Sequence, residues 1–248
     1  MLKRLRFAAF SCPHCPYEDG RAVDSLVKEV RRFKPQVIVC LGDLFEMDAA
    51  SRWDDETDHD LAEEYQHGAE LLRRIREAAP GSSRMVWTLG NHDDNLYGAG
   101  RVDPDLRKLL DWNLHAAEFG CWRQIPYRKD VHGVYRVGAV AFSHGFDAGR
   151  ASDRSEAVQA QNLLGGWPNL LSVRGHTHRP ADPTQVFLTP SIPLHLWYAN
   201  AGTIGPRKPD YMMRKDTSQW GPAVVLGSAQ TTGNIWKGKT WEAETVRL

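Results

Sequence analysis

Histidine, aspartate and asparagine gather at five short places in this sequence. These are Cys12-Pro13-His14, Gly42-Asp43, Gly90-Asn91-His92-Asp93, His144-Gly145 and Gly175-His176-Thr177-His178. Imidazole and carboxylate donors together suit Zn, Mn or Fe, whereas an all-oxygen set would suit Mg or Ca. A His-x-His on one loop can aim two imidazoles at two neighbouring ions, and a carboxylate on a tight Gly-Asp turn can bridge them. Two ions roughly 3.5–4 Å apart form the arrangement used for in-line displacement at phosphorus. Each cluster alone has a plainer reading. A Gly-Asp is more often a turn than a ligand, and a His behind a strand is more often a hydrogen-bonded surface residue. Their joint occurrence, each behind an apolar run, makes a purely structural reading a poor account.

The elements that must position these residues are legible from periodicity. Residues 5–10 read as a strand that stops at Ser11-Cys12-Pro13-His14. A helix follows over residues 21–33, with Val23, Leu26, Val27 and Val30 on one face, and Pro35 ends it. Residues 37–41 read as a strand buried on both faces, which completes a β-α-β unit with a parallel pair. Residues 48–60 are polar and acidic and read as a surface loop. A second helix is expected over residues 61–79, stopped by Pro80-Gly81, then a strand over 85–89. Asp103-Pro104 opens a further helix through His115, because proline is favoured at a first helical position. Strands are then expected at 134–137, 138–142, 170–173, 186–188, 194–199 and 223–226, with one helix over 152–164. The fold class is α/β. Because ligands in open α/β sheets bind outside the carboxyl ends of the strands, five loops would deliver their side chains to one rim.

The chain has 248 residues, which favours one large domain or two small ones; a single domain over residues 1–248 is expected. With 42% hydrophobic and 25% charged residues it has globular composition, which argues against disorder. Lys plus Arg and Asp plus Glu both number 31, so attachment to nucleic acid or membrane by bulk positive charge is disfavoured. No apolar run approaches the ~18 residues of a membrane span. The basic start, Lys3-Arg4-Leu5-Arg6, has too short an apolar stretch behind it for an export signal, so a cytoplasmic location is expected. Four cysteines, Cys12, Cys15, Cys40 and Cys121, are too few for a secreted disulfide scaffold. The C-x-x-C of Cys12 and Cys15 has no second pair to make a zinc ribbon.

At this point the sequence resembles the calcineurin-like metallophosphoesterases, whose pattern runs D-x-H, GD, GNH followed by D or E, a lone His, and GH-x-H. Every part except the first Asp is present in order between His14 and His178, and Asn200-Ala201-Gly202-Thr203 is similar to the family's late Asn-x-Gly-Ser or Thr turn. The resemblance implies a sandwich of two mixed sheets flanked by helices, with a dinuclear metal site at the strand C-terminal edge. Carried over by position, His14, Asp43 and His178 would hold one divalent transition metal (Mn, Zn or Fe). Asp43, Asn91, His144 and His176 would hold the other, with Asp43 bridging. His92 would be the proton donor or a transition-state stabiliser, and Asp93 would orient it by accepting from its second ring nitrogen. Metal-activated hydroxide would attack phosphorus.

The departure is Cys12 where the family has Asp, and three readings stand open: a thiolate ligand that softens the site, a non-ligand, or a mark of lost catalysis. Cys15 is read as a packing residue, and a disulfide to Cys12 is also open. No Asp-Arg-Gly follows the GD turn, which disfavours a Ser/Thr protein phosphatase, while Gly42-Asp43-Leu44-Phe45-Glu46 looks like phosphodiesterase, pyrophosphohydrolase and repair-nuclease segments. The C-terminal part looks similar to phage or prophage phosphoesterases. The expected substrate is therefore a phosphodiester, with a nucleotide or nucleic acid as a candidate partner and no membrane. A DNA or RNA nuclease, or a catalytically silent protein-binding module on this fold, are the alternatives. Trp53, Trp112, Trp122 and Trp167 are candidates for base stacking or core, and Arg207, Lys208, Arg214 and Lys215 for phosphate contact or a solvated loop.

Overall fold

The computed structural model describes residues 2–47, 60–96, 108, 110–146, 152–189, 192–206, 216–236 and 238–248. Its first half runs β1 (Arg4–Phe10), α1 (Gly20–Phe33), β2 (Val37–Cys40), α2 (Leu61–Ala78), β3 (Arg84–Thr88), α3 (Ala117–Gly120) and β4 (Arg123–Ile125). Its second half runs β5 (Tyr135–Val137), β6 (Val140–Phe142), α4 (Ser152–Leu163), β7 (Leu171–Arg174), β8 (Ala181–Thr189), β9 (Ile192–Asn200), β10 (Ala223–Gln230) and β11 (Trp241–Arg247). One sheet has the order β11-β10-β1-β2-β3-β4, and the other β5-β6-β7-β9-β8. In the first, β1 to β4 are parallel and β10 and β11 antiparallel. In the second, β6, β7 and β9 are parallel, with β5 and β8 antiparallel at the edges.

The central strands are apolar on both faces because both faces are covered. Ala8, Phe10, Ile38, Cys40, Met85 and Trp87 point to α1 and α2, while Phe7, Ala9, Val37, Val39 and Val86 point to Val140, Phe142, Leu171 and Val173 of the second sheet. The far face of that sheet packs on α4 through Ala141, Leu196, Ala157 and Ala160. The product is an α/β sandwich of two mixed sheets flanked by helices. Local chemistry sets the helix starts. Asp19 accepts from the backbone N–H of Arg21 and Ala22 to open α1, and Asp60 accepts from Glu63 N–H to open α2.

Hydrogen bonding between neighbouring loops continues past the strand ends, and this assembles the rim. Leu41 N–H donates to Phe10 O at 2.8 Å, Cys12 N–H to Gly42 O at 3.0 Å, and His14 N–H to Asp43 O at 3.0 Å. The loops behind β1 and β2 therefore run side by side and present Cys12, His14 and Asp43 together.

Several expectations need correction. β4 and β11 were not foreseen: β4 is a three-residue strand, and β11 (WEAETVR) is an edge strand with little apolar pattern to detect. β8 begins at Ala181, before the expected 186, because a register shift between Ala181 and Thr184 accommodates Pro183 in the strand. β10 begins at Ala223, as expected, and runs past residue 226 to Gln230. Of the helix expected from Asp103 to His115, residues 103–107 and 109 lie outside the described residues. Trp112–Leu114 is a single 3-10 turn capped by Asp111. The loop at 48–59, Trp53 and the basic run at 207–215 also lie outside them.

Trp112 and Trp122 are core residues. Trp87 is fully buried, with ring centroids 5.0 Å from Trp112 and 5.6 Å from Phe45, and its indole N–H donates to Asp93 Oδ2 at 3.2 Å. Trp87→Ala is expected to lower the unfolding free energy by about 3–5 kcal/mol. Trp87→Phe, which keeps a ring and loses the donor, should lower it by about 1–3 kcal/mol. Urea unfolding followed by circular dichroism reads both, and a Phe variant as stable as the parent would show that the Asp93 bond contributes nothing.

Candidate metal centre

Five side-chain-bearing residues of the rim have left-handed backbone: Cys12 (φ 53°), His14 (52°), Asp43 (49°), His176 (65°) and His178 (58°). Such conformations cost non-glycine residues roughly 1–3 kcal/mol each and persist only where the surroundings over-determine them. Here Thr203 Oγ1 donates to Cys12 O at 2.7 Å, and Gly205 N–H to the same carbonyl at 3.0 Å. Asn200 Nδ2 donates to Gly175 O and to Thr177 Oγ1, both at 2.9 Å, which holds the His176-Thr177-His178 loop in place. Glycine is required where the loops meet. A Cβ on Gly90 would lie 2.1 Å from Asp43 Oδ1, and one on Gly175 would lie 1.7 Å from Ser11 Oγ.

Asp43 stands at the centre. Its Oδ1 accepts from His92 N–H at 2.9 Å, and its Oδ2 lies 3.1 Å from His144 Nε2 and 3.9 Å from His14 Nε2. Burial opposes its charge, but the imidazoles of His144, His92 and His14 prevail and hold its carboxyl well below the ordinary range.

On one side of Asp43, His144 Nδ1–H donates to Leu41 O at 2.6 Å. That bond turns Nε2 inward, where it faces Asp43 Oδ2, Asn91 Oδ1 and His176 Nδ1, each at 3.1 Å. Burial, and then the neighbouring His144, push His176 down to about 3, so its ring supplies no second proton at neutral pH. Two ring nitrogens, a carboxylate oxygen and an amide oxygen thus converge, and with the single His176 proton on Nε2 and His144 unprotonated at Nε2 they would form the donor set a cation satisfies. On the other side, His14 Nδ1 is paired with the Glu46 carboxylate, and its Nε2 lies 3.1 Å from His178 Nε2. Cys12, His14, Asp43 and His178, all buried, offer ligand atoms within 4.8 Å of one another. Burial, chiefly, holds His178 well below its ordinary value and therefore neutral. The donors present fit divalent transition metals on both sides of Asp43.

All seven nominated residues thus gather at one place, with His14 and His178 on one side of Asp43 and Asn91, His144 and His176 on the other, the division that the resemblance implied, and with Cys12, whose role was left open, on the His14 side. The Cys12 sulfur lies 2.8 Å from Ser11 Oγ and accepts from His176 N–H at 3.3 Å. Burial and the Asp43 charge push its thiol well above the usual range. Cys12 and Cys15 are free thiols, so the disulfide reading falls.

Asp93 is a correction. It does not touch the His92 ring. Its Oδ1 accepts from Leu44 and Phe45 N–H, and its Oδ2 from Gly90 N–H and the Trp87 indole. It therefore locks the Gly42–Phe45 turn to the Gly90 turn, and burial beside Asp43 pushes it up to about 6. The orienting residue is Glu46, missed in the sequence. Its carbonyl accepts from His92 Nδ1–H at 2.8 Å, while its carboxylate holds His14. The available signal was its position three residues past Asp43, but two intervening apolar residues gave it no motif. Burial opposes charge on His92, yet Asp43 and Glu46 outweigh it and raise the ring to about 9.

A model of the calcineurin-like phosphoesterase family matches residues 5–191, which include every ligand nominated above. No curated protein matches the chain. Solved structures match it at low identity. Vps29 complexed with Zn from Entamoeba histolytica is 13% identical, with 98% of this chain and 99% of that chain covered and a TM-score of 0.46. YfcE, a phosphoesterase from E. coli, is 14% identical, with coverage of 98% and 100% and a TM-score of 0.44. TT1561 of Thermus thermophilus is 11% identical, with coverage of 99% and 100% and a TM-score of 0.44.

Because Glu46 holds His14 rather than the ion itself, Glu46→Ala is expected to weaken metal binding about 10- to 100-fold, with Glu46→Gln between it and the parent. Competition with a colorimetric chelator measures this, and parent-like affinity in Glu46→Ala would remove Glu46 from the site.

Proposed function

We propose, from the premise that this chain belongs to the calcineurin-like phosphoesterase family, that it is a metal-dependent hydrolase of phosphoesters, and of phosphodiesters in particular. The observation that carries this reading is the Asp43 carboxylate standing between two clusters of imidazoles, with ring nitrogens converging on each side of it. Asp43, Asn91, His144 and His176 would hold one ion, and Cys12, His14, Asp43 and His178 the other. Divalent metals held there supply Lewis-acid polarisation of the phosphoryl oxygens and lower the pKa of water.

The chain's own residues do the rest. Leu41 O and Glu46 fix the ring orientations of His144 and His14, so their Nε2 atoms face inward before anything binds. His92 is half-buried at the rim, and with Nδ1 engaged on Glu46 O its Nε2 is the nitrogen left to exchange a proton. We assign it delivery of a proton to the departing ester oxygen. Asp93 acts one step back, by fixing the turn that carries Asp43. The absence of Asp-Arg-Gly after the Gly-Asp turn supports small or nucleotidic diesters over phosphoproteins.

With Mn added, the protein is expected to hydrolyse an aryl phosphodiester. His92→Ala should reduce turnover by about 10²–10⁴-fold for a poor leaving group and less for p-nitrophenolate; equal losses would take His92 out of the acid role. Asp43→Asn should lower metal content on both sides and nearly abolish turnover, whereas His178→Ala should empty mainly one side. Two fully loaded variants would overturn the ligand assignment.

Cys12 provides a spectroscopic check. If its sulfur binds metal, Co(II) substitution should give a thiolate-to-metal absorption band that Cys12→Ser lacks, and Cys12→Asp should shift preference toward harder ions such as Mn. Identical Co(II) spectra for parent and Cys12→Ser would make Cys12 a small buried packing residue.

A further inference from the structure

A cavity of about 880 Å³ opens beside the His176-Thr177-His178 loop, with Thr177, Arg179, Trp220 and Arg247 in its wall. Its size lies within the range of small-ligand sites. Trp220 joins it to the metal centre: its ring packs edge-on against the His178 imidazole, with centroids 4.2 Å apart and planes at 76°. Thr177 joins it as well, since its backbone lies between the two histidines and its hydroxyl is held by Asn200.

The wall carries two guanidinium groups and one carboxylate. Arg247 is exposed, and the half-buried Arg179 lies close enough to Asp153 and Asp216 to favour their charged forms. The carboxylate in the wall, Asp153, is already engaged. It lies 3.3 Å from Nε of the fully buried Arg174 and accepts from Asn200 Nδ2 at 3.2 Å. The cavity therefore offers a flat aromatic surface and two guanidinium groups, next to a centre read as acting on phosphorus. Guanidinium groups favour phosphate through their paired donors, and an indole face stacks on any planar base.

We propose that this cavity seats the non-reacting part of the substrate, and that this part is a nucleotidyl group, its base against Trp220 and a second phosphate on Arg179 and Arg247. The proposal rests on the phosphoesterase reading above and specifies its substrate class. It also gives Trp220 a use beyond packing, because a half-buried indole between an imidazole and an open cavity gains little from burial alone.

Three diesters with one leaving group test it on the Mn-loaded full chain: ethyl p-nitrophenyl phosphate, thymidine 5′-(p-nitrophenyl phosphate), and the latter carrying a 3′-phosphate. The parent is expected to prefer them in rising order by kcat/KM. Trp220→Ala should cut the preference for either thymidine ester over the ethyl ester about tenfold, with Trp220→Phe retaining most of it. Arg179→Met combined with Arg247→Met should cut only the added preference for the 3′-phosphate, again about tenfold. A parent that treats all three alike, or variants that leave the ratios unchanged, would overturn the proposal. If no ester is turned over with any metal, the phosphoesterase reading fails by itself. The cavity is then judged by calorimetric binding of thymidine 3′,5′-bisphosphate: affinity that falls about tenfold in Trp220→Ala upholds it, and undetectable or unchanged affinity refutes it.

Discussion

A buried carboxylate whose neighbours favour its charged form, at the rim where the two sheets meet, is the constraint around which the rest of this structure is arranged. Asp43 could not keep its charge there in an apolar setting, since an unpaired buried carboxylate would neutralise instead. Three imidazoles and the His92 N–H surround it, and each imidazole comes from a different strand end. The demand for close approach then propagates outward. Gly90 must lack a side chain because Asp43 occupies the space, and a Cβ on Gly42, at φ 87°, would lie 2.5 Å from Gly90 N. Asp93 closes the unit from behind by accepting from both turns. Asp43 and His92, 49 residues apart in sequence, thus belong to one rigid piece, and the parallel register of β2 with β3 is what brings their loops level.

The left-handed backbone at Cys12, His14, Asp43, His176 and His178 has the same origin. In an extended strand, residues two apart share a face but stand roughly 6.5–7 Å apart along it. Left-handed residues fold the chain back on itself, so that Cys12 with His14, and His176 with His178, reach the two sides of Asp43 from single short loops. Strain of this kind must be offset elsewhere. Here the offset comes from buried hydrogen bonds of Asn200 and Thr203 and from the double-sided apolar core directly beneath. The late Asn200–Thr203 segment is therefore as much a part of the centre as the ligands, although it supplies none of them.

How much of this could be read from residues alone divides along physical lines. Gly-Asp, Gly-Asn-His-Asp and Gly-His-Thr-His were legible because each couples a special backbone need to a donor side chain, and because each sits where an apolar run stops. β1, β2, β3, α1 and α2 were legible because their burial patterns are regular. Asp93 and Glu46 were not. A carboxylate adjacent to His92 in sequence looks like its partner, but the 3-10 turn at Asp93–Leu96 sends that side chain under the Gly-Asp turn instead. Glu46 becomes the partner only once the loops behind β1 and β2 lie in register, a fact of tertiary pairing. Trp220 and Arg247 were illegible as wall residues for the same reason, since they reach Thr177 only through the close of the sandwich.

Cys12 shows how charge and packing are joined at this centre. Its thiol lies in the same buried shell as the Asp43 carboxylate, and burial together with that neighbour keeps the proton on sulfur. The Ser11 contact and the His176 N–H favour the thiolate, but against burial they do not prevail. Only a positive charge among Cys12, His14, Asp43 and His178 can reverse the balance, because coordination replaces the proton directly. An aspartate at this position would need no such help, being ionised at neutral pH in a site already rich in imidazole. If Cys12 is a ligand as proposed, a thiophilic ion would recruit the sulfur as a fourth donor, while a hard ion would leave the thiol protonated beside His14, Asp43 and His178. In that case the cysteine would bias the choice of metal through the proton affinity of its sulfur.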